Sequence, residues 1–192
     1  MAGEAIAIGV VARTGAAVTV VLSGYAAAPR LVARREIALV PAGMPAQPYH
    51  AAAGLAMADA GKLVGRAERG VQEAAAAGLR AVVDGLPAGS VVSGVAVAVK
   101  AVSLPGQLAD VMRSHAWMHA AEGVLYREAV LAAVRDCGYL ARAVEASVLP
   151  AAVDAVETLG RAAGRPWRRI EKDAARVAIT LLPQHPAGSG HP

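Results

Sequence analysis

A chain of 192 residues is long enough to bury one sizeable core and too short for several ordinary domains. Apolar residues make up 56% of it and mean hydropathy is +0.44, yet its longest nearly uncharged stretches, 14–29 and 85–99, are short and broken by Gly or Pro, which excludes a membrane-spanning helix. The single cysteine, Cys137, excludes an internal disulfide framework and a cysteine-based zinc site, while the net charge of +4 is modest overall but unevenly spread.

Glu4 and the lack of a basic segment before the first apolar residues argue against a secretory signal, so a cytoplasmic protein is expected, with no membrane partner. Residues 6–12, 17–22 and 31–40 are rich in β-branched side chains and are punctuated by Thr14-Gly15 and by the segment 24–29. They predict an antiparallel meander of two hairpins. The third strand carries Arg34, Arg35 and Glu36 in mid-run, as an edge strand does.

After a Pro/Gly loop at 41–48, residues 48–84 are Ala-rich and helical in composition. Pro48 suits the first turn, and Gly61, Gly65 and Gly70 are expected to divide the stretch into two pieces. The nearly continuous apolar run 91–102 predicts a strand buried on both faces. Residues 107–136 predict one long helix, 139–148 a short strand, and 151–163 and 167–182 two further helices separated by Gly164-Arg165-Pro166. The order is β-β-β-α-β-α-β-α. It implies an α/β fold with a mixed five-stranded sheet, three antiparallel strands followed by two parallel crossover strands, and helices on both faces. Residues 1–182 are read as a single domain and 183–192 as a disordered tail.

Two features concentrate chemistry. Within 161–176, Arg161, Arg165, Arg168, Arg169, Lys172 and Arg176 face only Glu171 and Asp173, a net +4 that equals the excess of the whole chain. With Trp167 at the turn, Arg165, Arg168, Arg169 and Lys172 could hold phosphates while the indole stacks on a base. Alternatively, the charges form a solvated face and Trp167 anchors the turn into the core.

On the helix 107–136, His115, His119 and Glu122 fall at spacing i, i+4, i+7 on the face that also holds Leu108, Val111, Met112, Tyr126, Ala129, Val130 and Ala133. Polar groups on an apolar stripe are costly unless paired or ligated. Three readings stay open: a buried hydrogen-bonded trio, a functional polar pocket at the sheet end, or a two-histidine-one-carboxylate metal site. A divalent metal is allowed by this set and not implied by it. His50 reads equally as a helix cap or a surface residue, Cys137 as a small core residue, and His185 and His191 carry no metal-like spacing.

The element order, the Ile8-Gly9-Val10 strand with its Thr-Gly hairpin, the strand 95–99 and the segment Lys172-Asp173-Ala174-Ala175-Arg176-Val177-Ala178-Ile179 resemble the ribonuclease H-like superfamily. The spacing looks most like its RuvC-type Holliday-junction resolvases. That resemblance implies carboxylates on the first strand, at the end of the fourth and on the last helix, binding two divalent cations for phosphodiester cleavage. Here the first strand offers Val10, Val11 and Ala12, the fourth Ala98 and Val99 before Lys100. On the last helix Asp173 matches one acidic position and Arg176 stands at the other.

The expectation is therefore a ribonuclease H-like domain with a remodelled site that binds or processes nucleic acid, without conventional two-metal cleavage. His115, His119, Glu122 and Asp173 would form its catalytic pocket. Arg165, Trp167, Arg168, Arg169 and Lys172 would contact the nucleic acid. The rivals are a non-catalytic scaffold, homodimeric in one version, and an enzyme of unrelated chemistry using the His/Glu pocket.

Overall fold

The computed structural model describes residues 4–184. From residue 185 onward, the expected disordered tail, with His185 and His191, lies outside the described residues.

Strands β1 (Glu4–Arg13), β2 (Ala16–Tyr25) and β3 (Ala28–Ala38) form the antiparallel meander, with Val10 opposite Thr19 and Val20 opposite Arg34. Gly15, at φ 79°, supplies the left-handed residue that the first tight turn needs. Strand β4 (Ser90–Val99) lies parallel to β1 on its other side, Ile8 pairing with Val95, and β5 (Ala141–Glu145) lies parallel to β4. The sheet order β3-β2-β1-β4-β5 puts β1 at the centre and the charged β3 at an edge, as its sequence implies. The last strand is shorter than expected, because Ala146–Val148 turn into a 3-10 helix.

The helices are α1 (Pro48–Ala52), α2 (Met57–Asp84), α3 (Leu108–Met112), α4 (His115–Asp136), α5 (Val153–Ala163) and α6 (Arg169–Ile179). Alternation along the central strand decides which face each covers. Ile6, Ile8 and Val10, with Val95 and Val97, bury against α2 and α4. Ala7, with Val18, Val20 and Leu22 of β2, buries against α5 and α6. Gly9 lets α6 lie directly on the sheet: a Cβ there would come within 2.0 Å of the Ala174 carbonyl oxygen and 2.5 Å of the Ala178 nitrogen.

Two helical expectations need correction. Helix α2 runs unbroken through Gly61, Gly65 and Gly70, and the break lies upstream at 53–56, where Gly54 has φ 88°. The glycine at 70 serves close approach, since a Cβ there would meet the Pro41 ring at 2.7 Å.

Residues 107–136 are likewise two helices. Ser114 adopts extended backbone angles (φ −132°, ψ 122°) and its hydroxyl oxygen accepts from the Trp117 N–H at 3.4 Å, so it caps α4 and ends the phase set by α3. Helix α4 then leads back to β5, whose Ala141 pairs with Val95, so it runs opposite to β4. Its first turns therefore stand at the sheet end where β4 finishes. No helix among the described residues is long and apolar enough to cross a membrane.

Candidate functional site

The first turns of α4 pack on short helices rather than on strands. Met118 and Ala121 bury with Val111 of α3 and meet Tyr49 of α1. Pro48, in the first turn of α1, starts that helix, and Ala52 buries against Ala60 and Val64 of α2. The Tyr126 hydroxyl donates to the Ala46 carbonyl at 2.7 Å and ties down the loop that delivers α1. This arrangement brings His50 over α4.

Glu122 is only 1% exposed. Its Oε1 accepts from His50 Nδ1 at 2.8 Å and from the His50 backbone N–H at 3.4 Å. His50 Nε2 lies 3.1 Å from His115 Nδ1, and His115 Nε2 lies 3.0 Å from His119 Nε2. The three rings pack with centroids 4.4–4.8 Å apart. Glu122 Oε2 is buried without a hydrogen-bond partner, with His119 Nδ1 at 3.8 Å. Beside the cluster, the Tyr49 hydroxyl is pushed up to about 12, first by burial and then by the Glu68 and Glu122 carboxylates.

The expected pocket is thus partly assembled and partly not. Glu122 is buried as its position implies. His115 and His119 are exposed rather than buried, although they share a face of α4 with the buried Glu122, Tyr126 and Ala129, because the first turns that carry them overhang the sheet.

Asp173 does not join them. Helix α6 lies across the sheet from α4, and the Asp173 carboxylate is held on its own helix by Arg176 Nη1 at 2.9 Å and Arg169 Nε at 3.6 Å. The member that sequence reasoning missed is His50. Nothing local marks it, and the available signal was compositional: the chain has five histidines, and the three described ones converge.

The basic segment lies on the α5–α6 face. Trp167 packs on α5 at Gly160, where a Cβ would come within 2.5 Å of its Cδ1, and its Nε1 is buried without a partner. The Pro166 carbonyl accepts from the Arg34 guanidinium of β3, and Glu171 accepts from the Arg168 backbone N–H at 2.8 Å, fixing the start of α6. Arg165, Arg168 and Arg169 are exposed around this anchored turn, and Lys172 is half-buried. Beside it opens a groove of about 730 Å³ lined by Glu157, Arg161, Arg165, Trp167, Arg168 and Lys172.

Chemically, the two regions differ. The cluster on α1 and α4 offers three imidazoles and one buried carboxylate, suited to holding a proton or a cation. The α6 side offers guanidiniums around a neutralised aspartate, suited to an anion.

No family model and no curated protein matches the chain. Among solved structures it is similar to Thermus thermophilus RuvC in complex with a Holliday junction substrate, at 18% identity and a TM-score of 0.51, with 92% of each chain covered. It is also similar to a Thermus thermophilus RuvC structure at 19% identity and a TM-score of 0.46, covering 91% of this chain and 92% of that one. The chain has the ribonuclease H-like, RuvC-type fold.

Proposed function

We propose that this chain binds nucleic acid through the basic α5–α6 face of a RuvC-type fold whose carboxylate site is degenerate. The observation that carries the reading is the cluster of exposed guanidiniums of Arg165, Arg168 and Arg169, with Lys172, around a turn fixed by Trp167 and beside an open groove. Exposed cations grouped on one anchored turn suit a phosphate backbone, and each neutralised phosphate releases counterions. The fold adds support, because the similar Thermus thermophilus protein is seen with a Holliday junction substrate.

The residues present do not fit a pair of divalent cations on carboxylates. Where β1 ends stand Val10, Val11, Ala12 and Arg13, and where β4 ends stand Ala98, Val99 and then Lys100. Asp173 is already bridged by two guanidiniums.

The test is fluorescence anisotropy with a labelled four-way junction and a linear duplex across a range of salt. Binding should weaken with a log–log slope of about −0.9 for each phosphate neutralised on duplex. Changing Arg165, Arg168 and Arg169 together to Glu should remove most binding while the circular dichroism spectrum is unchanged. A wild-type chain that binds neither ligand at low salt would refute nucleic-acid binding, and a triple variant that binds as tightly as wild type would refute the basic face as its site.

A further inference from the structure

We propose that His50, His115 and His119 form a site for one divalent first-row transition cation of the zinc type, with Glu122 orienting the imidazoles. The site is separate from the basic face and stands whether or not nucleic acid binds there.

A carboxylate only accepts, so the His50 Nδ1 that lies 2.8 Å from Glu122 Oε1 carries the ring proton and leaves Nε2 with a free lone pair. The other oxygen, Oε2, is buried and has no hydrogen-bond partner, and the nearest ring nitrogen, His119 Nδ1, is 3.8 Å away. A small rotation of the exposed His119 closes that gap, puts its proton on Nδ1 and frees its Nε2 as well. One buried carboxylate thereby fixes the tautomers of two histidines, the arrangement that carboxylates make behind metal-bound imidazoles.

Both freed Nε2 atoms face His115, at 3.1 Å from its Nδ1 and 3.0 Å from its Nε2. A neutral imidazole has one N–H and can satisfy only one of them. A cation held by the two freed Nε2 atoms and one nitrogen of His115 takes up both lone pairs and leaves the N–H of His115 on its other nitrogen. In a tetrahedral site with metal–nitrogen bonds of about 2.0–2.1 Å, ligand nitrogens stand about 3.3–3.4 Å apart. One ion takes one nitrogen of His115, so one of the two close separations is already within a few tenths of an ångström of that. With one nitrogen from each ring, all three ligand atoms lie within 4.8 Å of one another, a spread that a turn of the exposed rings closes. His115 and His119 sit one helical turn apart on α4, while His50 arrives from α1, so the ligands close on the site from two elements.

Neutral imidazoles select zinc, cobalt, nickel or copper rather than magnesium or calcium, which demand oxygen ligands. The Glu122 carboxylate, 1% exposed and bonded to His50, places a negative charge directly behind the rings and makes the local field favourable to a cation. Three protein ligands leave a fourth position, and the exposure of His115 and His119 turns it to solvent. When bound, the cation would hold a water there and acidify it.

The experiment uses the chelator-treated full chain, both as it stands and with His185→Gln and His191→Gln to remove the remaining imidazoles. Zn²⁺ is titrated calorimetrically and Co²⁺ by its visible absorption. One equivalent should bind, with the intense bands of four-coordinate Co²⁺, and azide should shift them by entering the fourth position. Glu122→Gln should weaken binding by about 10–100-fold, and His115→Ala and His119→Ala by more. These two histidines are exposed, so their variants should keep the fold, and unchanged circular dichroism checks it. Absence of stoichiometric binding, affinity that survives the loss of both His115 and His119, or a melting temperature indifferent to zinc would overturn the site in favour of a hydrogen-bonded trio. A Co²⁺ spectrum that ignores azide would overturn the open position.

Discussion

His50 and Glu122 stand 72 residues apart in the chain, yet Nδ1 of one lies 2.8 Å from Oε1 of the other. The contact joins α1, a five-residue helix, to the long α4. A carboxylate buried to this depth must be partnered to be tolerated, so the pair serves the fold as well as any ligand. A double-mutant cycle of His50→Ala and Glu122→Gln, read by urea denaturation, should give a coupling of about 1–3 kcal/mol, in the upper part of the range for residues in one network. The same cycle for His119 and Glu122, which are 3.8 Å apart with His119 half in solvent, should give less. Glu122→Ala should cost more than Glu122→Gln, since it also opens a cavity.

The sheet was legible because its signals are local and redundant. Ile8 and Val10 alternate with Gly9 and Val11 in a β-branched run, Gly15 marks the turn, and Arg34 to Glu36 mark the edge. The helix that carries the site was less legible, because Ser114 divides the stretch 107–136 in two. Its hydroxyl competes with the helical backbone and starts a new helix, which shifts the phase of everything before it relative to His115. His50 was beyond local pattern altogether: a loop tied at Tyr126 and Ala46 brings it to α4. Asp173 misled for the opposite reason. Its motif is local and reads clearly, but the guanidinium at Arg176 consumes the carboxylate.

Asp173 should accordingly behave as a surface ion-pair residue. Its side chain is 25% exposed and shares its bonds with two arginines on the same helix. Asp173→Asn should cost about 1 kcal/mol or less, and should leave Zn²⁺ and Co²⁺ binding unchanged, since α6 lies across the sheet from the histidines. The pure protein with magnesium should not cleave branched DNA or an RNA–DNA hybrid. Robust cleavage that Asp173→Asn abolishes would refute the degenerate-site reading.

Gly9 should be among the least replaceable residues of the sheet. A Cβ there meets backbone atoms of Ala174 and Ala178, which cannot swing aside as a side chain can, so Gly9→Ala must lift α6 from β1. Overpacking of a tight core typically costs about 1–3 kcal/mol, and this substitution should reach the top of that range or exceed it in chemical denaturation. Gly61→Ala is the contrasting control. It lies inside α2 with nothing within 4 Å of the new Cβ, and should stabilise by about 0.5–1 kcal/mol.

Trp167 separates two roles that its sequence context left open. Its ring lies on Gly160 and packs into the cluster formed by α5, α6 and β2, which makes it the anchor of the basic turn. Complete removal of a buried aromatic side chain costs about 3–5 kcal/mol. Because Trp167 is only partly buried, Trp167→Ala should cost somewhat less and should loosen the turn carrying Arg165 and Arg168. Its Nε1 is buried with no partner, so Trp167→Phe gives up no hydrogen bond and should lose little beyond the smaller ring. An anchoring role therefore predicts that Trp167→Phe keeps both stability and salt-dependent nucleic-acid binding near wild type, while Trp167→Ala weakens the two together. Base stacking on an aromatic ring is worth about 1–3 kcal/mol per base. A Trp167→Phe variant that stays as stable as wild type but loses binding of that size would show that the indole meets the ligand itself, and that the groove beside it is a base platform rather than a phosphate rim.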